Sequence, residues 1–300
     1  MLERLEFLIA LSREQHFARA AEACGVAQPT LSLGIQALEQ MLNVPLVKRA
    51  PRFQGFTPEG ERVLIWAHRL VGDARAMRQD LLGLKSESVT SLRIAALPST
   101  MPLVSKLTLP LQERHPNIRF TVLARTSNVL LNMLHQREID AGLTYLTNEP
   151  LGEVRTVPVY REEYLLVTSP KGPCGGADSV TWAQAGTVPL CLLMRELQSR
   201  RIVDSTLRAL GIEPRPILET DSLNALIAHV RAGQLAAIIP NSALPPSELN
   251  DSLRAIPIVE PVVTHTIGLV VSERFPIQPV VASLIDEARS QGTRDLLPAA

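Results

Sequence analysis

Between Phe17 and Leu42 the chain reads FARAAEACGVAQPTLSLGIQALEQML, a stretch that admits few conformations. Phe17, Ala20, Ala21 and Ala23 make a compact helix with small residues where a second helix must come close. Cys24-Gly25-Val26 breaks it, because glycine takes the positive φ that ends a helix. Pro29 suits a first-turn position, where its missing N–H is no loss and its fixed φ is helical. Val26, Leu31, Ile35, Leu38 and Leu42 recur at spacings of a single apolar helix face. Helix, tight turn, helix is the pattern of a DNA-reading helix-turn-helix. On the turn alone, an ordinary αα-corner of a helical bundle is the commoner source of it.

The flanks narrow the choice. Leu2, Leu5, Leu8 and Ile9 predict a first helix ending near Ser12. Asn43 to Arg49 reads as a helix stop and a short extended piece, and Ala50 to Phe56 as a β-turn or wing. Thr57-Pro58-Glu59-Gly60 is a helix start: Thr57 caps, Pro58 takes the first position, and Glu59 lies near the positive end of the dipole. The helix runs on from Glu61 to about Lys85, with Val63, Leu64, Ala67, Leu70, Val71, Ala74, Met77, Leu81 and Leu84 on one side. That stripe suits a helix packed on its own domain or on its own copy in a dimer. The preceding segment is too small to cover all of it, which favours the dimer.

Three hundred residues suggest two domains. The hydrophobic fraction of 46% and charged fraction of 20% exclude wholesale disorder. The net charge is zero, so any basic surface for nucleic acid must be local. The first residues carry acids within their apolar run and no small-residue cleavage site, which argues against a signal peptide. No run is long enough to span a membrane. The three cysteines, Cys24, Cys174 and Cys191, are widely spaced and fit a reducing cytoplasm without zinc spacing. Ser86 to Ser91 is a polar linker. From Leu92 onward short apolar runs alternate with helical patterns, which predicts α/β with mostly parallel sheets.

Taken together, Phe17, Arg19-Ala20-Ala21, Val26, Gln28-Pro29-Thr30-Leu31-Ser32, Ile35, Leu38-Glu39, Leu46-Val47-Lys48-Arg49 and Thr57-Pro58-Glu59-Gly60 closely resemble the LysR-type transcriptional regulators in kind and spacing. Weaker motifs extend the resemblance over nearly the whole chain: Pro98-Ser99-Thr100, Glu138 to Leu143 and Ala232 to Pro240. The resemblance implies a winged helix-turn-helix over 1–60 and a linker helix and hinge over 61–90. A two-lobed α/β effector domain, similar to periplasmic binding proteins, would follow over 91–300. Lobe I would comprise 91–161 and 265–300, and lobe II 162–264, with crossings near Arg161 and Thr264. It further implies a bacterial, cytoplasmic regulator, acting as a dimer of dimers with DNA, RNA polymerase and a small-molecule effector as partners. No enzyme activity, cofactor or metal is implied.

The DNA-binding candidates are Arg19, Gln28, Pro29, Thr30, Ser32, Leu33, Lys48, Arg49 and Arg52. Gln, Thr and Ser bond bases or phosphates, and Leu33 can touch a thymine methyl. Leu33-Gly34 departs from the family, which commonly carries a basic or polar residue followed by Gln. No Lys or Arg stands between Gln28 and Leu42, so the local charge falls to Arg19 and to Lys48, Arg49 and Arg52. From Met1 to Gly60, six basic residues meet six acidic ones, so one unit alone should bind weakly and linked units by avidity.

Effector-binding candidates are Ser99, Thr100, Thr126 and Ser127 at strand-to-helix turns, and Gln198 and Ser199 before a later helix. Each Ser or Thr taken alone is better explained as a plain helix cap; the resemblance shifts this, because family members place their ligand between the lobes at these turns. Arg195, Arg200 and Arg201 make an organic anion the expected effector, unless they are simply exposed helix charges. The family's peroxide sensors use a close cysteine pair; Cys174 and Cys191 are 17 apart (191 − 174) and read as buried structural thiols. Other readings are a DNA-bending protein with an unresponsive α/β domain, a solute receptor, or an enzyme. The six histidines show no metal spacing, and no phosphate loop or nucleophile elbow is present.

Overall fold

The computed structural model describes residues 1–49, 53–83, 90–147, 149–244, 251–273 and 277–296, apart from the side chains of 49, 79, 80, 82, 83 and 293–296. Arg52, Leu84, Lys85 and most of the expected linker lie outside these residues. Two compact units emerge, residues 1–89 with 133–138 and residues 90–132 with 139–300.

In the first unit, α1 (Leu2–Glu14), α2 (Phe17–Ala23) and α3 (Gln28–Leu42) precede a hairpin of β1 (Val47–Arg49) and β2 (Phe53–Phe56), and α4 (Pro58–Gly83) follows. Gly25 takes a φ of +67° at the break between α2 and α3. Leu8, Leu11, Ala20, Leu31, Ile35, Leu38, Leu46 and Ala67 are fully buried in one core. Leu42, expected on that face, is 40% exposed. Asn43 stops α3 in the left-handed region at φ 53°, and Leu46, returning after the stop, fills the core instead.

The helix start at Thr57 forms as its residues predict. Gly60 N–H donates to Thr57 Oγ1 at 2.9 Å, and that hydroxyl donates to Pro45 O at 2.6 Å. A Cβ on residue 60 would lie 2.0 Å from the Leu46 carbonyl oxygen, so only glycine lets α4 cross here. At 26 residues α4 is about 39 Å long. Ala67 is buried, but Leu70, Met77 and Leu81 from the predicted stripe are exposed, and Ile65 and Trp66 join them.

The second unit carries one sheet of order β4-β3-β5-β12-β6-β11-β7, with β10 also on β6. Its strands are β3 (Thr90–Ala96), β4 (Ile118–Ala124), β5 (Ala141–Tyr145), β6 (Val154–Thr168), β7 (Val180–Thr181), β10 (Ala237–Pro240), β11 (Arg254–Val259) and β12 (Thr264–Ser272). A separate parallel pair joins β8 (Cys191–Leu193) to β9 (Leu218–Thr220). The helices are α5 (Met101–Arg114), α6 (Ser127–His135, of which 133–135 fall in the first unit), α7 (Trp182–Thr187), α8 (Gln198–Ala209), α9 (Leu223–Arg231) and α10 (Pro279–Leu296).

The expected predominance of parallel pairing is not what forms. Parallel pairs occur at β3 with β4 and β5, at β7 with β11 and at β8 with β9. The centre is antiparallel: β12 pairs with β5 and β6, and β6 pairs with β10 and β11. The reason is β6, a single 15-residue strand that serves both halves of the sheet, with β12 returning against it. Thr264 lies opposite Glu163 and Thr266 opposite Arg161. The strand begins at Val154, well before its apolar run from Tyr164, and carries Pro158 near a register shift, where a missing donor is tolerated.

Candidate DNA-reading surface and effector site

On α3 the buried residues Leu31, Ile35 and Leu38 turn the opposite side outward. Gln28, Pro29 and Thr30 are exposed, Ser32 is half-buried, and Leu33 is 63% exposed. The N-cap is Ala27, which makes no side-chain cap, so the first-turn N–H groups lack the usual intrachain acceptor. An uncapped helix start of this kind accepts a phosphate. Gln36 and Gln40 continue the Ser32 face at helical spacing and were not among the expected contacts; the i, i+4 period from Ser32 is the signal that finds them.

Gly34 explains part of the departure at Leu33-Gly34. A Cβ there would stand 2.5 Å from the ring of Phe7, which is buried in the core. The glycine is thus matched to a phenylalanine on α1, and Leu33 is left facing outward.

The basic candidates sit around this helix in different ways. Arg19 is 64% exposed, with Nη2 donating to Glu14 O at 2.5 Å and Nε 3.6 Å from the Glu14 carboxylate. Lys48 is exposed on β1, and the Arg49 side chain lies outside the described residues. Glu39 aims the wing: its Oε1 accepts from Leu46 N–H at 2.8 Å and Val47 N–H at 3.1 Å. Phe53 packs edge-on against Phe17 and Phe56, which fixes β2 on the helices.

In the second unit, Ser99 and Thr100 form a short 3-10 turn and are buried. Thr100 Oγ1 donates towards Leu97 O at 3.1 Å and Leu143 O at 3.4 Å, so its proton is engaged with the main chain. This turn packs against a second one, Asn241–Ala243, which follows β10. Within β6, Glu162 is fully buried and accepts from Tyr145 Oη at the end of β5 and from Ser242 Oγ of the second turn. Burial raises its carboxyl to about 7, against the lowering effect of both hydroxyl bonds.

Ser127, 2% exposed at the start of α6, donates to Glu149 Oε2 at 3.3 Å. Glu149 Oε1 in turn accepts from Arg201 of α8, from Nε at 3.1 Å and from Nη2. The structure thereby brings Ser127 to the first turn of α8, where Gln198 and Ser199 are also buried. Thr126 is half-buried beside Ser127. α8 has no side-chain cap at Leu197. Both amide atoms of Gln198 are buried without a hydrogen-bond partner among the described residues. A buried amide of this kind is satisfied by ordered water or by a bound polar group; both amide atoms of Gln278 are in the same condition.

The three arginines are not alike. Arg200 is 1% exposed and bonds Asp204 Oδ1, Leu193 O and Glu219 Oε1 at 2.5–2.6 Å. It is not an exposed charge: Asp204 and Glu219 pair with Nε and Nη1, while Nη2 is buried without a hydrogen-bond partner among the described residues. Arg195 is 59% exposed and only 3.7 Å from Asp204. Glu149, unremarkable in the sequence, lies 22 residues from Ser127 (149 − 127) and 52 from Arg201 (201 − 149), distances at which no local pattern reveals a contact.

Cys191 is fully buried in β8, and burial raises its thiol to about 11. Cys174 differs from the expectation: it is only half-buried, in a turn at φ +58°. It packs against a different apolar cluster from Cys191.

Comparison with known proteins agrees with both units. A model described as bacterial regulatory helix-turn-helix protein, lysR family, matches residues 2–61, and one described as LysR substrate binding domain matches residues 85–293. The DNA-binding transcriptional dual regulator OxyR of Escherichia coli (strain K12) is 26% identical over 289 residues, covering 96% of this chain and 94% of that protein. A probable hydrogen peroxide-inducible genes activator of Mycobacterium avium is 29% identical over 268 residues, covering 89% and 86%. Among solved structures, a full-length OxyR variant from Pseudomonas aeruginosa superposes with a TM-score of 0.73 at 26% identity, covering 96% and 94%. CbnR complexed with its target DNA superposes at 0.70 and 21% identity, covering 97% and 99%, and shows the shared fold. The chain belongs to the LysR family of DNA-binding, effector-responsive transcriptional regulators.

Proposed function

We propose that α3 enters the major groove with Gln28, Thr30 and Ser32 near base edges or phosphates, and Leu33 in apolar contact. The exposure of these residues and the uncapped helix start support this. Lys48, Arg49, Arg52 and Arg19 supply phosphate contacts, with the wing reaching the minor groove. Pro29 sets the helix start against the backbone. Exposed Trp66, Leu70, Met77 and Leu81 on α4 support pairing with a second copy, and a dimer of dimers places two reading units on separated sites. Such a regulator works in the cytoplasm and acts on RNA polymerase at the promoter.

The responsive half is read as two lobes, 91–161 with 265–300 and 162–264, that close on an organic anion near Ser99, Thr100, Thr126, Ser127, Gln198 and Ser199. One observation carries it: the buried amide of Gln198, unpartnered at an uncapped helix start. It also disfavours a ligand-unresponsive DNA-bending protein. Ligand binding need change the relative stability of the two lobe arrangements by only ~1–3 kcal/mol.

Hydrogen peroxide, named for several relatives, is not carried over as the signal. A fully buried thiol raised to about 11 holds almost no thiolate, the reactive form, and its partner candidate sits in another cluster. The test of the DNA reading is a gel-shift titration at physiological salt. Arg49→Ala is expected to lose affinity steeply; equal binding by variant and parent refutes the role. Peroxide at equal protein concentration is expected to leave the parent's binding unchanged, and a peroxide-dependent shift contradicts the thiol argument.

A further inference from the structure

We propose that Glu149 sets the selectivity of the effector site by standing in for the effector's own anionic group. The inference rests on the reading that an organic anion binds between α6 and α8. The carboxylate of Glu149 holds the two donors a carboxylate ligand would use: Ser127 Oγ at the start of α6, at 3.3 Å, and the Arg201 guanidinium, at 3.1 Å from Nε. The guanidinium is itself fixed, since Nη1 donates to Glu196 O at 2.7 Å. Charge-assisted bonds at a helix start are the ordinary chemistry of anion recognition.

The pair can exchange. The side chains of Arg201 and Glu149 remain 37% and 27% exposed, so water and salt weaken their attraction. An incoming carboxylate gains Arg201 only by releasing Glu149, and a swap of one carboxylate for another is close to balanced. A simple anion therefore gains little. The effector must bring a second polar group, and the unpartnered amide of Gln198, three residues before Arg201 on α8, offers both a donor and an acceptor for it. The class selected is an organic anion bearing a neutral hydrogen-bonding group. Its arrival releases a contact that ties α6 to α8, which couples recognition to lobe movement.

The full-length chain is titrated with inorganic sulfate and with succinate by calorimetry and thermal shift. Glu149→Gln keeps the shape and removes the internal anion. It is expected to bind both probes at least about tenfold more tightly than the parent, and Glu149→Gln with Arg201→Gln to lose that gain. Unliganded melting curves establish that each variant folds. A Glu149→Gln chain that binds no tighter, or a gain that survives the loss of Arg201, overturns the proposal. A small-carboxylate screen on the parent and on Gln198→Leu judges the underlying reading separately. Gln198-dependent binding by the parent without a gain in Glu149→Gln leaves an anion site standing and removes Glu149 from it.

Discussion

Gly34 and Phe7 form a matched pair across α3 and α1, with 2.5 Å between the ring and the place a Cβ would occupy. Gly34→Ala is expected to destabilise the first unit by roughly 1–3 kcal/mol in urea unfolding, the usual cost of overpacking. Phe7→Leu in the same chain should recover part of that loss, a coupling that a backbone effect at Gly34 alone would not show. Glu162 gives a pH signature. Its folded pKa of about 7 lies above the ordinary 4.5, so the folded chain holds this proton where the unfolded chain has released it. The stability it contributes is complete below about pH 4.5 and declines as pH rises towards 7, by about 3 kcal/mol in all. Unfolding of Glu162→Gln across pH 5 to 8 should be flatter than the parent's by most of that amount; parallel curves contradict the assignment. Residue-scale chemistry was the least legible part of the sequence. Arg195, Arg200 and Arg201 look equivalent as a cluster, yet Arg200 is buried between Asp204 and Glu219 while Arg201 meets Glu149. Asp204 lies at the local i, i+4 period, but Glu219 and Glu149, 19 and 52 residues away, do not, and no local period encodes them.

Elements were far more legible, because caps and periods are local. The Gly25 break, the Thr57 cap and the α3 core face all form from residues within a few positions of one another. Leu42 leaves the core, which Leu46 enters just past the helix stop, and β6 extends back to Val154 through a proline, where it meets the distant β12. Glu39 links two elements, and its loss should loosen the wing without touching α3's exposed face. Glu39→Ala frees the N–H groups of Leu46 and Val47, and each buried donor left without a partner costs about 1–3 kcal/mol. Operator affinity is expected to fall while the preference among operator sequences stays unchanged, as a competition gel shift would show. On α4 the exposed Trp66, Leu70, Met77 and Leu81 lie at helical spacing. Replacing Leu70 and Met77 by Lys is expected to convert the assembled species to smaller ones in sedimentation velocity, with helicity retained.

At the scale of the whole molecule, the family pattern in the first sixty residues and the alternation of strands and helices beyond them were enough to anticipate a DNA-reading unit and an α/β unit. Strand direction was not, because β6 and β12 pair across about a hundred residues of intervening chain and local alternation carries no sign for such a return. The most direct measurement is a nuclease footprint on the intergenic DNA flanking the chain's own gene, with the parent and with Gln28→Ala combined with Thr30→Ala. Two separated protected regions are expected from the parent, and both should disappear in the variant at equal concentration. A single short protected stretch contradicts the paired assembly, and protection that survives in the variant contradicts the assignment of α3's first turn as the reading surface.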